Sequence, residues 1–248
     1  MTTHSQFEAR VAARKEELAQ QPPAKKGLRR VVAIGAGVLA LALILGAVLF
    51  MAPVFTVRNV NVEGNKIATV KDITDAAEIV EGENLLRLDT AAAASKVASV
   101  PWVQTVTVDR SLPTSVDIKI TEREVVAFVK SSEGDRLIDS NGHEFVIAKP
   151  PTGAVEITNI DSRDSEKAAI QRSSAVEILS HVNDKIRAKL VAIDASSQHN
   201  YVLKFRDGRT VTWGSNENNE AKAISLETVV KLRGKDWNIT NPELVTKK

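Results

Sequence analysis

The sequence predicts an α+β protein with a single N-terminal transmembrane helix followed by two mixed domains. Three observations lead to this prediction. Residues 31–52 are apolar without interruption, residues 54–123 follow the order strand, helix, helix, strand, strand, and residues 124–241 hold many short strands with helices among them. Because hairpin turns join several of these later strands, we expect a mainly antiparallel sheet in the second domain.

The composition excludes several classes of protein. The 248 residues include 33 basic and 31 acidic side chains, a balance that does not suit a general nucleic-acid binder. The absence of cysteine excludes disulfides, thiol nucleophiles and thiolate metal sites. Residues 1–30 carry seven basic and three acidic side chains, a net charge of +4. We expect these residues to form a cytoplasmic basic tail that is mostly disordered.

Residues 31–52, "VVAIGAGVLALALILGAVLFMA", predict a transmembrane helix. A helix of this length rises about 33 Å, which matches a hydrocarbon core of about 30 Å. A cleaved signal peptide would have a shorter apolar region, of about 7–15 residues, and a small-residue cleavage site. A buried core helix is the other alternative. The basic residues that precede the run indicate an N-terminus inside the cell and a C-terminal bulk outside it; they are Lys25, Lys26, Arg29 and Arg30.

The first domain is expected to span residues 54–123. Its opening segment, "VFTVRNVNV", alternates as a strand, with a shift of phase at Arg58 that a bulge or a strand buried on both faces would explain. Thr69 and Asp72 have the spacing of a capping box and predict the start of a helix. Asp89 is a candidate N-cap of a second helix. Residues 102–122 alternate on both sides of Leu112-Pro113 and predict a hairpin.

The segments "FTVRNVNVEGN", "GENLLRLD" and "VPWVQTVTVDRSLPTSVDIKITERE" together resemble a POTRA domain of the FtsQ/DivIB type. The FtsQ/DivIB family consists of bacterial cell-division proteins that cross the membrane once. A membrane span directly before the domain strengthens the resemblance.

The second domain is expected to span residues 124–241, with a flexible tail at 242–248. Asn141-Gly142 predicts a tight hairpin, and Ser165 predicts the start of a helix. The segments "KLVAIDAS", "NYVLKF" and "RTVTWG" predict three strands. A helix over 217–233 and a short final strand, "DWNIT", follow.

This half also resembles the FtsQ/DivIB family. "LIDSNGHEF" is similar to its D-x-x-G-x-x-F turn, and "FRDGRTVTWGSNENNEAKAISLETVV" to its DGR-x-V-x-W-G strand and the lysine-bearing helix after it. "DWNITNPELV" stands where the family carries I-D-V-S-x-P, with Asn238 in place of an acidic residue and Asn241 in place of a small one. The resemblance runs in order from Lys26 to Val245.

No pattern of catalytic or metal-ligating residues accompanies these domains. The four histidines, His4, His143, His181 and His199, lack metal-ligand spacing and are interpreted as surface or turn residues. Glu122 and Glu124 share a strand face but are interpreted as a solvated strand end. Trp102 and Trp213 are expected in a core or a domain seam, whereas the final strand leaves the role of Trp237 open. We therefore expect no enzyme, no cofactor and no metal.

The resemblance implies a non-catalytic scaffold of the divisome in the cytoplasmic membrane at the septum. Its implied partners are FtsB (DivIC) and FtsL, and through them the septal peptidoglycan synthase complex FtsW/FtsI; no nucleic acid and no small-molecule substrate are implied. An edge strand exposes backbone groups that a partner segment can pair with. The implied FtsB contacts are Trp237, Asn238, Ile239 and Thr240, supported by Val230 and Arg233. A weaker candidate for other divisome contacts is an edge of the first domain, either residues 55–60 or the strand with Val116, Ile118 and Ile120.

Two other functions remain open at this point. One is a membrane-anchored cell-wall hydrolase, which would need a catalytic constellation that the sequence lacks. The other is a POTRA-containing chaperone of envelope protein assembly or secretion, which is expected to have several POTRA repeats or a C-terminal β-barrel.

Overall fold

The structure is a computed structural model that describes residues 3–19, 26–51, 54–161 and 163–247. Its first helix, α1, covers Thr3–Ala19. The expectation of a mostly disordered tail is therefore wrong for these residues. The physical reason is composition, since the segment is rich in Ala, Glu, Arg and Lys, which all have high helix propensity.

The second helix, α2, covers Lys26–Met51 and is the membrane-span candidate. Its 26 residues correspond to a length of about 39 Å. The window Val31–Val48 has a mean hydropathy of 2.7 and is not buried against any other part of the described chain. Among the described residues α2 is the one helix that is long and apolar enough to cross a membrane. Three residues of the topology signal, Lys26, Arg29 and Arg30, lie in its first turns, and Lys25 lies outside the described residues.

The first domain has the predicted βααββ order. Strand β1 pairs in parallel with β3, and β3 pairs antiparallel with β2, so the sheet order is β1-β3-β2. Helices α3 and α4 pack on this sheet over a core that includes Val57, Ile73 and Leu85. The elements are β1 (Asn59–Glu63), α3 (Val70–Ala77), α4 (Thr90–Val97), β2 (Val103–Ser111) and β3 (Ser115–Glu122).

Both predicted helix caps of this domain are present. The hydroxyl of Thr69 accepts a hydrogen bond from the backbone N–H of Asp72 at 3.1 Å. The carboxylate of Asp89 accepts from two N–H groups of the first turn of α4. The shift of phase at Arg58 has the character of a bulge, because Arg58 and Asn59 both donate to the carbonyl of Thr114, at 2.8 and 3.3 Å.

The second domain is built on a nine-stranded mixed sheet with the order β12-β11-β10-β9-β8-β7-β4-β5-β6. Most neighbouring strands are antiparallel, as predicted, but β4 with β7, β7 with β8, and β10 with β11 are parallel. Helix α5 makes the crossover from β7 to β8. The elements are β4 (Val125–Ser131), β5 (Gly134–Asp139), β6 (Glu144–Ile147), β7 (Val155–Thr158), α5 (Ser165–His181), α6 (Asp184–Arg187), β8 (Leu190–Ser197), β9 (Asn200–Phe205), β10 (Thr210–Gly214), α7 (Asn219–Val229), β11 (Asp236–Asn238) and β12 (Thr246–Lys247).

The two sheets meet at the predicted Asn-Gly hairpin between β5 and β6. The buried carboxylate of Asp139 accepts from the backbone N–H groups of Asn141 and His143, at 2.9 and 3.0 Å. The guanidinium of Arg123, which directly follows β3, forms an ion pair with the same carboxylate. Trp102 and Phe145 make an edge-to-face contact with ring centroids 5.2 Å apart. The turn therefore joins the domains as well as the two strands.

The first domain also contacts the end of α2. The side-chain amide of Asn84 donates to the carbonyl of Phe50 at 2.9 Å. The guanidinium of Arg87 lies 4.6 Å from the centre of the Phe50 ring, within the range of a cation–π contact. These contacts place the loop between α3 and α4 beside the C-terminal end of the apolar helix.

Glu122 anchors a loop, which corrects its interpretation as a solvated strand end. One carboxylate oxygen accepts from the backbone N–H groups of Lys66, Ile67 and Ala68, each at 2.8 Å. Burial opposes ionisation of this group, but the three N–H donors outweigh burial and lower the pKa of Glu122.

We expect the stabilising effect of Glu122 to depend on pH. Its pKa is lower in the folded than in the unfolded chain, so the effect is full above about pH 4.3 and is lost as the pH falls further. Glu122→Gln should lower the free energy of unfolding at pH 7 by on the order of 1 kcal/mol and should flatten its decline below pH 4. Denaturant unfolding of the detergent-solubilised chain at pH 7 and pH 3.5 measures both.

The matched control is Glu124→Gln, two residues away and exposed. This variant should keep the pH dependence of the unmodified chain. An equal change of slope in both variants would contradict the role assigned to Glu122.

Candidate partner-binding edge

The C-terminal end of the large sheet has a different rim from the one expected. Strand β11 pairs in parallel with β10 on one side, with Val211 opposite Trp237. On its other side β11 pairs antiparallel with β12, with Trp237 opposite Lys247. The "DWNIT" strand is therefore not the edge strand that partner pairing at Trp237 to Thr240 would need, and β12 forms the rim of the described sheet. The expected flexible tail supplies this strand.

The four residues implied as FtsB contacts divide into two pairs. Trp237 is 9% exposed and Ile239 is fully buried, so both side chains belong to the core and are corrected from partner contacts to anchors of the edge. The side chain of Asn238 is half-buried and accepts from the backbone N–H of Thr240 at 2.9 Å. Thr240 is exposed. Direct contact of Asn238 and Thr240 with a partner stays a prediction.

The two supporting residues lie at the end of α7. Val230 is half-buried and is the C-cap of this helix, and Arg233 is exposed. The carbonyl of Val230 accepts from the guanidinium of Arg209 at 2.7 Å. Arg209 also pairs with Asp207 at 2.8 Å and lowers the pKa of that carboxyl. The Asp-Gly-Arg turn before β10 thus ties its hairpin to the C-terminus of α7.

Buried side chains within the "WGSNENNEAK" stretch link the end of β10 to the start of α7. Trp213 is fully buried, and its indole N–H donates to the side-chain oxygen of Asn219 at 2.9 Å. The ammonium of Lys222 is also buried and donates to the carbonyl of Ser215 at 2.8 Å. Burial lowers the pKa of Lys222, an effect that nearby Glu217 partly opposes. Trp213 and Lys222 are therefore structural residues, since their polar groups are buried and bonded to the segment that joins β10 to α7.

Gly214 explains how the final strand reaches β10. It has a φ of +81°, and a Cβ atom there would lie 2.7 Å from the methyl carbon of Thr240. Only glycine fits both the left-handed backbone and this close approach. The backbone N–H of Ile239 then donates to the carbonyl of Thr212 at 2.9 Å, which extends the β10–β11 pairing.

Sequence reasoning missed an exposed apolar pair beside the rim. Ile224 on α7 is 69% exposed, and Leu244, two residues before β12, is 66% exposed. The hydroxyl of Ser225 donates to the carbonyl of Pro242 at 3.1 Å, which brings the two segments together. One feature of the sequence could have predicted the exposure of Ile224. It lies off the inward-facing stripe of α7, where an apolar side chain cannot reach the core.

The prediction that the strand with Val116, Ile118 and Ile120 is an edge of the first domain is wrong. Val116, Ile118 and Ile120 lie on β3, which is paired on both sides and keeps these side chains in the core. The edges of this sheet are β1 and β2. The local alternation of β3 cannot show this, because its second partner, β1, lies more than 50 residues earlier in the chain. Of residues 55–60, only Asn59 and Val60 belong to the edge strand β1.

The described residues contain no group of three or more His, Cys, Asp or Glu side chains that could hold a metal ion. His143 is exposed at the Asn-Gly turn. His181 ends α5, where its Nδ1 lies 2.9 Å from the carbonyl oxygen of Glu177.

Comparison with known proteins identifies similar chains along almost the whole length. Residues 55–123 match the family model "POTRA domain, FtsQ-type", and residues 127–241 match "Cell division protein FtsQ/DivIB, C-terminal". The cell division protein FtsQ of Corynebacterium glutamicum is 38% identical over 221 residues, which cover 88% of this chain and 98% of that protein. FtsQ of Mycobacteroides abscessus is 32% identical over 247 residues, 97% of this chain and 78% of that protein.

Among solved structures, the major extracytoplasmic domain of the cell division protein DivIB from Geobacillus stearothermophilus is similar at 14% identity and a TM-score of 0.32. It covers 46% of this chain and 99% of its own.

We expect Gly214→Ala to destabilise the second domain more than Gly208→Ala. Both glycines have a positive φ, but a Cβ atom at Gly208 meets nothing within 4 Å, whereas one at Gly214 collides with Thr240. The difference in the free energy of unfolding should be about 1–3 kcal/mol. Denaturant unfolding followed by tryptophan fluorescence measures it, and equal losses in the two variants would show that the contact with Thr240 does not constrain the edge.

Proposed function

Since the chain belongs to the FtsQ/DivIB family of bacterial cell division proteins, we propose that it is a non-catalytic, single-pass scaffold of the divisome. It binds FtsB and FtsL at the septum and, through them, links early division proteins to the FtsW/FtsI complex that synthesises septal peptidoglycan. Family membership supports a role in division, whereas the named partners come from the resemblance of the C-terminal segment. Proteins of this family are not known enzymes.

The observation that carries the proposal is the rim at β12 with exposed apolar side chains beside it. A rim strand offers unpaired backbone N–H and C=O groups, to which an extended segment of a partner adds as a further strand. Backbone pairing supplies affinity without sequence preference, and apolar contacts beside it supply specificity. Ile224 and Leu244 are suited to the second task, because they are exposed and lie on segments that contact each other.

The charged residue of the rim fits a selective interface. Lys247 is exposed on β12, and lysine on an edge strand discourages indiscriminate pairing between sheets. A partner that adds here must accommodate or neutralise this charge. FtsB would therefore be favoured if it presents an acidic residue opposite Lys247.

The membrane helix supports the proposal by restricting where binding occurs. The first domain contacts the end of α2 through Asn84 and Arg87, which keeps it close to the membrane. Partners anchored in the same membrane share a thin layer with it, and this raises their effective concentration. A small interface is sufficient under these conditions.

The absence of cysteine makes the proposed topology directly testable. In intact cells, Thr152→Cys, in an exposed loop of the second domain, should react with a membrane-impermeant maleimide. Ser5→Cys should react only after the cells are permeabilised, because the basic residues before the apolar run hold the N-terminus inside. Labelling of Ser5→Cys but not of Thr152→Cys in intact cells would reverse the topology and exclude the proposed function.

We expect the double variant Ile224→Asp, Leu244→Asp to weaken FtsB binding at least about tenfold, because buried apolar contacts dominate such interfaces. Binding is measured with full-length FtsB and the full chain co-reconstituted in lipid nanodiscs. Both side chains are exposed, so the variant keeps its fold. A charge at Ile239 is not suitable, since this residue is fully buried and the substitution would damage the core.

The control is Val80→Asp, a single apolar-to-acidic change at a residue that is 66% exposed in the first domain. It should leave the affinity unchanged. Unchanged affinity in the double variant would exclude this surface as the FtsB site, and a uniform envelope distribution of the unmodified protein would argue against a role at the septum.

A further inference from the structure

The length of the apolar helix α2 fixes the depth at which its last residues lie. The run from Val31 to Phe50 has twenty residues, and a helix of that length rises about 30 Å, the thickness of a hydrocarbon core. The headgroup layer adds about 5–8 Å on each side of this core. Under the proposed topology, Phe50 therefore lies where the hydrocarbon core meets the headgroups of the outer leaflet.

Two residues of the first domain contact α2 at this depth. The side-chain amide of Asn84 donates to the carbonyl of Phe50 at 2.9 Å, which satisfies one of the carbonyl groups left open at a helix end. The guanidinium carbon of Arg87 lies 4.6 Å from the centre of the Phe50 ring. Because Arg87 is charged and this distance is shorter than the headgroup layer is thick, its guanidinium lies in that layer, where the lipid phosphates are.

Arg87 has hydrogen-bond donors that the protein does not use. Its side chain is exposed, and the contact with the Phe50 ring is the only side-chain interaction that it makes with the described residues. A guanidinium holds its five N–H donors in a planar fork that matches two oxygens of a phosphate. A lipid phosphate at the same depth is therefore a suitable acceptor.

The turn between β2 and β3 lies at the same end of the first domain. Asn59, the first residue of β1, is opposite Ser115, the first residue of β3, so the turn lies at the end of the sheet where the chain arrives from α2. The guanidinium of Arg110 donates to the carbonyl of Leu88 at 2.7 Å, which ties the turn to the loop between α3 and α4. Leu112 in this turn is 58% exposed. The turn therefore presents an apolar side chain on the side of the membrane.

This end of the domain has no excess of positive charge. Its three arginines are matched by four acidic residues; the charged residues are Arg58, Arg87, Arg110, Glu81, Glu83, Asp89 and Asp109. General attraction to anionic lipids therefore does not hold it at the membrane. The exposed apolar side chains of Val54 and Leu112, and the free donors of Arg87, are the groups that gain from contact with a lipid surface.

We propose that this end of the first domain, which comprises Val54, Arg87 and the turn with Leu112, rests on the outer leaflet of the membrane. Arg87 donates to a lipid phosphate, and Val54 and Leu112 enter the layer between the headgroups and the acyl chains. The lipid contact fixes the height and the tilt of the first domain above the membrane. The proposal rests on the proposed single-pass topology of α2 and does not depend on FtsB.

The cysteine-free chain allows a fluorescent probe to be placed at a single site. Leu112→Cys in the full chain is labelled with the fluorophore NBD in phosphatidylcholine nanodiscs, with and without a fatty acid ester that carries a nitroxide quencher on its upper chain. The probe should lose at least about half of its fluorescence, because side chains at such a surface are buried about 5–10 Å deep. The matched control is Leu232→Cys, which is exposed just after α7 in the second domain and should keep its fluorescence.

The phosphate contact is tested with digalactosyldiacylglycerol, a lipid that forms bilayers without phosphate. Quenching at Leu112→Cys should fall at least about twofold in these nanodiscs, because Arg87 loses its charged acceptor. The added change Arg87→Gln should cause a similar fall in phosphatidylcholine and no further fall in the phosphate-free lipid. Lys119→Gln removes an exposed cation of β3 and should change neither value. Circular dichroism checks that each variant is folded.

A probe within α2 separates failure of this proposal from failure of the topology. Leu45→Cys lies in the candidate span and should be quenched in both lipids. Quenching at Leu45→Cys without quenching at Leu112→Cys would overturn the lipid contact of the first domain and leave the span intact, whereas no quenching at Leu45→Cys would overturn the span itself. Equal quenching at Leu112→Cys in the two lipids, or an equal fall in Lys119→Gln, would overturn the phosphate contact of Arg87.

Discussion

The buried carboxylate of Asp139 is the interaction on which the arrangement of the two sheets depends. A carboxylate removed from water must be matched by donors and a positive charge, or it destabilises the fold strongly. Two of its donors come from the Asn-Gly hairpin and the third from Arg123 at the end of the first domain. The same carboxylate therefore closes the Asn-Gly turn and joins the two domains. The contacts of Asn84 and Arg87 with Phe50 in turn hold the first domain against the end of α2.

The best-matching motif residues of the second domain hold the C-terminal edge of the large sheet in place from inside the fold. Trp213, Gly214 and Lys222 lie beneath the final strands, either buried or in close contact with Thr240. Ile224 and Leu244 lie within the segments that resemble the family but are exposed, and Lys247 follows these segments. A resemblance that rests on the motifs identifies the architecture better than it identifies the contact residues.

Local chemistry made much of the fold predictable. Thr69, Asp89 and Asn141-Gly142 act through groups a few residues away, so their caps and turn could be predicted from short windows. The errors concern pairing over long distances in the sequence. The central position of β3 depends on a parallel partner more than 50 residues away, and β12 has only two residues, too few for any alternating pattern.

The two hydrophobic cores have a consequence for heat denaturation. Val57 and Ile73 belong to one core, Tyr201 and Trp213 to the other, and the cores are joined mainly by a small polar and aromatic seam. Two domains melt as one unit only when a large apolar interface couples them, and this seam is not such an interface. A calorimetric scan of the two domains should therefore be treated as two overlapping transitions, each with its own midpoint and enthalpy. A single melting temperature would average two different quantities.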